Sequence, residues 1–189
     1  HDILMVIIDI LEQMLSYENQ ITITAEPNLS PLNQKRLNSF VAWQKHFRNH
    51  SSWFTDHLYG QYVTKTTCAN PDCRYVSETY EVFCNLNVPI AGVSTLEDAL
   101  HRSFSSEQLE EGNTLLCDTC KQRTRAEKQM KLWHTPCVLL IQLKRFCMNQ
   151  YSFVKDSSLV SFPLTNLDIT PYLENIESWE KDCRPHGRL

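Results

Sequence analysis

Basic charge is scarce in this sequence: 18 Lys and Arg stand against 22 Asp and Glu, for a net charge of −4 and a sequence pI near 6.0. That argues against a nucleic-acid partner, since a general binder of that kind presents a strong basic excess. A membrane-length apolar run is also missing. The apolar start, Ile3 to Leu15, carries Asp9 and Glu12 and falls short of the roughly 20 residues that span a bilayer, so no membrane partner is expected. There is no internal repeat, no low-complexity stretch and no signal-peptide pattern, and eight cysteines in that setting fit a reducing compartment better than a disulfide scaffold. The expected location is cytoplasmic and/or nuclear. What is present is 189 residues at 42% hydrophobic content, which excludes a disordered chain and suits one domain or one large lobe. The expected partner is protein. The chain opens at His1 directly in a helical pattern, and Arg184-Pro185-His186-Gly187-Arg188-Leu189 shows no closing element, so the sequence reads as a fragment with sequence expected at both ends.

Four of the cysteines fall in two close pairs, Cys68-Ala69-Asn70-Pro71-Asp72-Cys73 and Cys117-Asp118-Thr119-Cys120. Zn²⁺ takes four ligands at tetrahedral corners, and a pair on a tight turn offers two sulfurs on one side of the backbone. A structural Zn²⁺ held by Cys68, Cys73, Cys117 and Cys120 is the leading reading. The alternatives are ordinary thiols, disulfides or redox chemistry, although Cys117-Asp118-Thr119-Cys120 lacks the strand-to-helix setting of a thioredoxin-type dithiol. Ordinary zinc ribbons separate their pairs by about 15–20 residues, whereas 43 residues lie between Cys73 and Cys117. The insert must therefore fold back on itself, and strand-like text such as Tyr75 to Phe83 allows that.

Residues 3–15 place Ile3, Ile7, Ile10, Leu11, Met14 and Leu15 at helical spacing, with Val6 and Ile8 widening the face, which predicts a mostly buried helix. Tyr17 to Ser39 is polar and holds Pro27 and Pro31, which predicts a loop. Phe40 to Tyr62 reads as one or two short helices. Its His46 and His50 share a face at helical spacing, but no further ligand completes a catalytic metal motif. Residues 61–67 and 74–90 read as strands, and Thr95 to Phe104 as a helix with Thr95 as N-cap, Glu97-Asp98 in its first turn and Leu96, Leu100 and Phe104 as its apolar stripe. Arg123 to Trp133 reads as a strand, and the five basic residues between Lys121 and Lys131 as a mainly solvated face. The run Cys137 to Phe146 predicts a strand covered on both faces, central to a sheet. Val154 to Phe162 predicts a further strand, and Leu167 to Tyr172 a turn into a short helical segment.

Taken in order, these segments resemble the ubiquitin-specific protease family of cysteine deubiquitinases. Val63 to Val76 looks like the family's strand and first zinc knuckle, Thr79 to Pro89 like the strand that follows, and Cys117 to Cys120 like the second knuckle. Pro136 to Phe146, ending Gln142-Leu143-Lys144-Arg145-Phe146, looks like its most recognisable core strand, followed by Lys155-Asp156, Val160 to Leu164 and Leu167-Asp168. The resemblance covers residues 41–173. Asp2 to Met14 matches a family helix by pattern alone, with Met5 where a glutamate usually stands, and the four-residue gap of Cys68 to Cys73 departs from the commoner two.

The resemblance implies an α+β, papain-like thumb-palm-fingers fold, present in part, with an antiparallel sheet and zinc-ribbon-like fingers. The implied layout over 1–189 is a helical part at 1–62, zinc fingers with a helical insert at 63–135 and palm strands at 136–189. It further implies hydrolysis of ubiquitin C-terminal thioester or isopeptide bonds by a thiolate nucleophile and a histidine base, with ubiquitin or ubiquitinated proteins as partners. The family's Gly-Asn-x-Cys and Gly-His-Tyr stretches do not occur in the chain, and His186 sits in what looks like the lead-in to the second. No catalytic residue is therefore assigned, and the chain alone is expected to be inactive. His134 and Cys137, three apart in extended structure, project to opposite faces and make no dyad. Cys84 and Cys147 read as strand residues, Cys137 as the start of a buried strand, and Cys183 stays unplaced. A catalytically inactive ubiquitin-binding or scaffold protein is the alternative, and an unrelated zinc-ribbon module the blander one.

Overall fold

The computed structural model describes residues 2–19, 28–48, 50–109, 114–148 and 152–174. Cys183 and His186 lie outside the described residues, as does the side chain of Cys147. In chain order the elements are α1 (Asp2–Leu15), β1 (Tyr17–Glu18), α2 (Pro31–Phe47), β2 (His50–Ser51), α3 (Trp53–Leu58), β3 (Gly60–Cys68), β4 (Val76–Phe83), β5 (Asn85–Pro89) and α4 (Leu96–Phe104). There follow β6 (Glu107–Gln108), β7 (Leu115–Leu116), β8 (Arg123–Thr124), β9 (Ala126–His134), β10 (Leu140–Lys144), β11 (Phe146–Met148), β12 (Phe153–Lys155) and a 3₁₀ turn at Thr170–Tyr172.

A four-stranded antiparallel sheet in the order β4-β3-β9-β6 is the backbone of this α+β arrangement. Strand β3 is its centre, pairing with β4 from Gly60↔Phe83 to Thr67↔Val76 and with β9 from Gln61↔His134 to Cys68↔Ala126. Both ladders run the length of β3, so its last residue, Cys68, is held from two sides.

Helix α4 covers the base of this sheet. Thr95 accepts a hydrogen bond from the Asp98 N–H (3.1 Å), which caps the first turn, and Leu96, Ala99, Leu100 and Phe104 turn inward. They meet Phe83, Leu86, Val88, Leu132 and Tyr172 in the main core, where Phe104 stacks on Tyr172. The expected cap and stripe are both observed. A second cluster joins Ile8, Phe47, Tyr59 and Cys84 from α1, α2 and the start of the sheet. Lys35 of α2 pairs with Glu78 of β4, and buried Gln61 of β3 donates to the Ser39 carbonyl at 3.0 Å, which fixes α2 across the sheet.

Five expectations need correction. Helix α1 is mostly exposed: Ile8 is buried at 4% while Ile3 and Met14 are about three-quarters exposed at 77% and 75%. It is apolar on almost every side, and only the sector of Met5, Ile8 and Glu12 meets the protein, where the Tyr59 hydroxyl donates to Glu12 at 2.7 Å. The predicted loop to Ser39 is helical from Pro31, because Ser30 caps the helix by accepting from the Asn33 N–H and proline is tolerated in a first turn. His46 lies in the last turn of that helix and His50 in β2 beyond left-handed Arg48, so they share no face; His46 packs on Phe47 instead. The predicted central strand from Cys137 is shorter: Cys137 and Val138 are exposed, the Val138 N–H reaches the His57 carbonyl, and among the described residues β10 pairs, in parallel, with β5 alone. Strand β12 likewise stops at Lys155, after which the chain runs irregularly to the Thr95↔Ser161 bridge.

Gly60 begins β3 where a Cβ would meet Phe83 Cζ at 2.6 Å, the His134 carbonyl oxygen at 2.8 Å and Pro136 Cδ at 2.8 Å. The last two, a backbone oxygen and a proline ring atom, cannot swing aside. Gly60→Ala is expected to lower the unfolding free energy by about 1–3 kcal/mol, the usual range for overpacking, in urea titration; an unchanged midpoint would show that the strand start has room.

Candidate metal centre

The far end of β3 and β9 carries both cysteine pairs. Cys68 closes β3, with its N–H on the Tyr75 carbonyl (2.8 Å), and Ala69 crosses to the Arg125 carbonyl (3.0 Å). The four residues to Cys73 then turn tightly. The Asn70 side chain accepts from the Asp72 N–H (3.1 Å), while its carbonyl accepts from Cys73 (3.1 Å) and Arg74 (3.0 Å). This side-chain turn is what Asn-Pro-Asp favours, and it accommodates the longer gap.

The second knuckle sits between β7 and β8, which pair as Leu115↔Thr124 and Leu116↔Arg123. The Cys117 N–H donates to the Gln122 carbonyl (3.0 Å), and the Cys117 carbonyl accepts from Lys121 (2.9 Å). The Asn70 amide donates to Gln122 Oε1 at 3.3 Å, linking the two turns. The 43-residue insert is thereby accounted for: β4, β5, α4 and β6 run down to the core and back before β7.

All four sulfurs lie within 4.8 Å of one another. Across the knuckles, Cys68 Sγ stands 3.9 Å from Cys120 Sγ and Cys73 Sγ 3.8 Å from Cys117 Sγ. A metal–sulfur bond of about 2.3 Å sets a tetrahedral edge of about 3.8 Å, whereas a disulfide needs about 2.05 Å. The spacing suits a shared ion and not a pair of disulfides. Among the described residues this is the one group of three or more potential ligands placed to share an ion.

The backbone and its neighbours tune the sulfurs. The N–H groups of Cys120 and Thr119 point at Cys117 and bring its thiol down to about 7. Cys73 goes the other way, to about 11: the Tyr75 N–H favours its thiolate, but loss of water and the crowding thiols of Cys117 and Cys120 outweigh it. A cation held at the centre would reverse that conflict, because every thiolate would then face a positive charge. Thr124 Oγ1 lies 3.2 Å from Cys68 Sγ, a contact the sequence pattern did not reveal. Only the strand pairing brings Thr124 there.

Among the described residues, Cys84 and Cys137 sit in different settings from one another. The Cys84 thiol is pushed up to about 11, first by burial and then by the charges of Glu12 and Asp9, which leaves little thiolate. His134 packs edge-on to Trp43 at 5.9 Å, and Cys137 is exposed beyond it.

The sequence matches the family described as ubiquitin carboxyl-terminal hydrolase over residues 1–184. Ubiquitin carboxyl-terminal hydrolase 21 of Homo sapiens is 33% identical over 150 residues, which cover 76% of this chain and 26% of that protein. Ubiquitin carboxyl-terminal hydrolase 20 of Arabidopsis thaliana is 37% identical over 127 residues, covering 67% and 18%. The chain thus spans about a quarter or less of the length of these relatives. Among solved structures, the SAGA DUB module of Ubp8, Sgf11, Sus1 and Sgf73 bound to monoubiquitin matches with a TM-score of 0.60 at 22% identity, covering 78% of this chain and 34% of that chain. A yeast SAGA DUB module carrying an Sgf73 mutant matches at 0.61 and 25% identity, covering 73% and 31%. These likenesses bear out the expected thumb-palm-fingers type of fold.

Cys68→Ser and Cys117→Ser are expected to lose bound metal on elemental analysis, and full retention in both would rule the site out. Thr124→Val is expected to keep the metal but bind it about tenfold more weakly in chelator competition, the usual loss for a group that orients a ligand. Unchanged affinity would mean that the hydroxyl does not orient the Cys68 sulfur.

Proposed function

The chain belongs to the ubiquitin carboxyl-terminal hydrolase family, and we propose that it is the central part of a cysteine-type deubiquitinase domain, with zinc-bearing fingers at 63–135 between a helical part at 1–62 and palm strands at 136–189. The observation that carries this reading is the set of four sulfurs at tetrahedral-edge distances on the tip of the β3–β9 blade. Zn²⁺ is the ion proposed, since a closed set of four thiolates suits it and leaves no open position for chemistry. When bound, the ion supplies cross-linking strength to the fingertip. Cys68, Cys73, Cys117 and Cys120 would hold it, and the β3–β9 ladder would aim the joined knuckles as one rigid tip.

Ubiquitin or a ubiquitinated protein is the partner proposed, supported by the family and by the neighbour solved with monoubiquitin. The parent reaction would be hydrolysis of thioester or isopeptide bonds at the ubiquitin C-terminus by a thiolate nucleophile. Cytoplasm or nucleus suits a centre that depends on reduced thiols. The nucleophile and base stretches are not in these 189 residues, and Cys84, the buried thiol near α1, is poorly ionised. The chain by itself therefore binds without cutting. The same observation favours the second reading, a ubiquitin-binding scaffold that uses the fingers alone.

The test is to mix the chain with ubiquitin bearing a C-terminal fluorophore and, separately, with isotope-labelled ubiquitin. No thiol-dependent release of the fluorophore is expected, together with saturable shifts in the ubiquitin spectrum. Cysteine-dependent turnover would overturn the inactivity, and an unperturbed spectrum would overturn the partner.

A further inference from the structure

Four non-glycine residues among those described hold a positive φ: Arg48 at 51°, Arg74 at 46°, Lys121 at 57° and Asn166 at 60°. In this left-handed region a Cβ crowds the backbone, and glycine or asparagine is the usual occupant. Asn166 fits that rule. The other three are cations, and each follows a place where negative charge gathers. Arg48 stands at the C-terminal end of α2, where carbonyl groups carry the negative end of the helix dipole.

Arg74 and Lys121 hold equivalent places at the fingertip. Each directly follows the second cysteine of its knuckle, and each closes its turn through its own N–H, Arg74 on the Asn70 carbonyl and Lys121 on the Cys117 carbonyl. That closure needs only a backbone N–H and a left-handed φ, which glycine supplies without strain. Turn geometry thus explains the conformation and not the residue types. Both side chains are exposed, and among the described residues neither enters a hydrogen bond or an ion pair. Their charges are uncommitted.

We infer that Arg74 and Lys121 are charge-compensating residues of the metal centre: a divalent ion with four thiolates carries a net charge of −2, and these two cations offset it and raise the affinity for the ion. This rests on the metal reading above. Two knuckles of different length close with the same left-handed turn, and both place a cation at that point although the turn itself asks for no charge. Asp72 and Asp118 lie in the same two turns and are exposed, so the cations also offset carboxylates that would repel an electron-rich cluster. Exposed charges act through water and are screened over about 10 Å at 0.1 M salt, so the combined effect is modest, about tenfold, and salt-dependent.

Zinc affinity is to be measured by chelator competition for the natural chain and three double variants: Arg74→Gly with Lys121→Gly, Arg74→Gln with Lys121→Gln, and Arg74→Lys with Lys121→Arg. Both neutral pairs are expected to bind about tenfold more weakly at about 10 mM salt and to converge on the natural chain near 1 M, while the charge-keeping pair stays unchanged. The glycine pair relaxes the turn and the glutamine pair keeps its strain, so a loss confined to one of them assigns the effect to the backbone and overturns the inference. Neutral pairs within twofold of the natural chain at low salt overturn it as well while leaving the metal site standing. A natural chain that binds no zinc removes the site and this inference together.

Discussion

Strand β3 is paired along its whole length on both sides, and that double pairing is the constraint on which the fingertip depends. With β4 it forms a hairpin whose turn is the first knuckle, and with β9 it forms the ladder that ends at Cys68↔Ala126, two residues beyond Thr124. A slip of one residue in an antiparallel register moves every side chain to the other face. Such a slip in the β3–β9 pairing would take Cys68 Sγ away from Cys120 and Thr124 together. The four-sulfur geometry is therefore a consequence of register, and register is held at the other end by the packing of α4 on Phe83, Leu86, Val88 and Leu132.

The two knuckles differ in length yet close in the same way, each on a carbonyl four residues back: Arg74 N–H on Asn70 and Lys121 N–H on Cys117. The longer one adds a side-chain contact, in which Asn70 Oδ1 accepts the Asp72 N–H. Both finish in the left-handed region. The N–H groups of Thr119 and Cys120 that lower the Cys117 thiol toward neutrality are the same groups that such a turn exposes to its sulfur. Acidity here follows from turn shape.

What could be read from the sequence was local. The cysteine pairs, the alternating text of the strands flanking them and the Thr95-capped helix are all patterns within a few residues, and the structure carries all of them. The Ser30-Pro31 start of α2 is local too, but proline serves both as a breaker and as a first-turn residue, and the Ser30 cap decides for the second. Burial was less legible, because it depends on what arrives from elsewhere. Ile3 and Met14 carry the same apolar pattern as Ile8, and only the structure shows that Ile8 alone of the three faces Phe47, Tyr59 and Cys84. The run from Cys137 shows the same limit, since its composition suits a covered strand while its neighbours leave Cys137 and Val138 exposed. Thr124 beside Cys68 lay beyond any spacing rule, being 56 residues away in the chain.

The direct test of the fingertip as a closed zinc centre is X-ray absorption at the zinc edge on the purified protein. Four sulfur neighbours at about 2.3 Å and no lighter atom are the predicted shell. A shell containing nitrogen or oxygen, or fewer than four sulfurs, would contradict it.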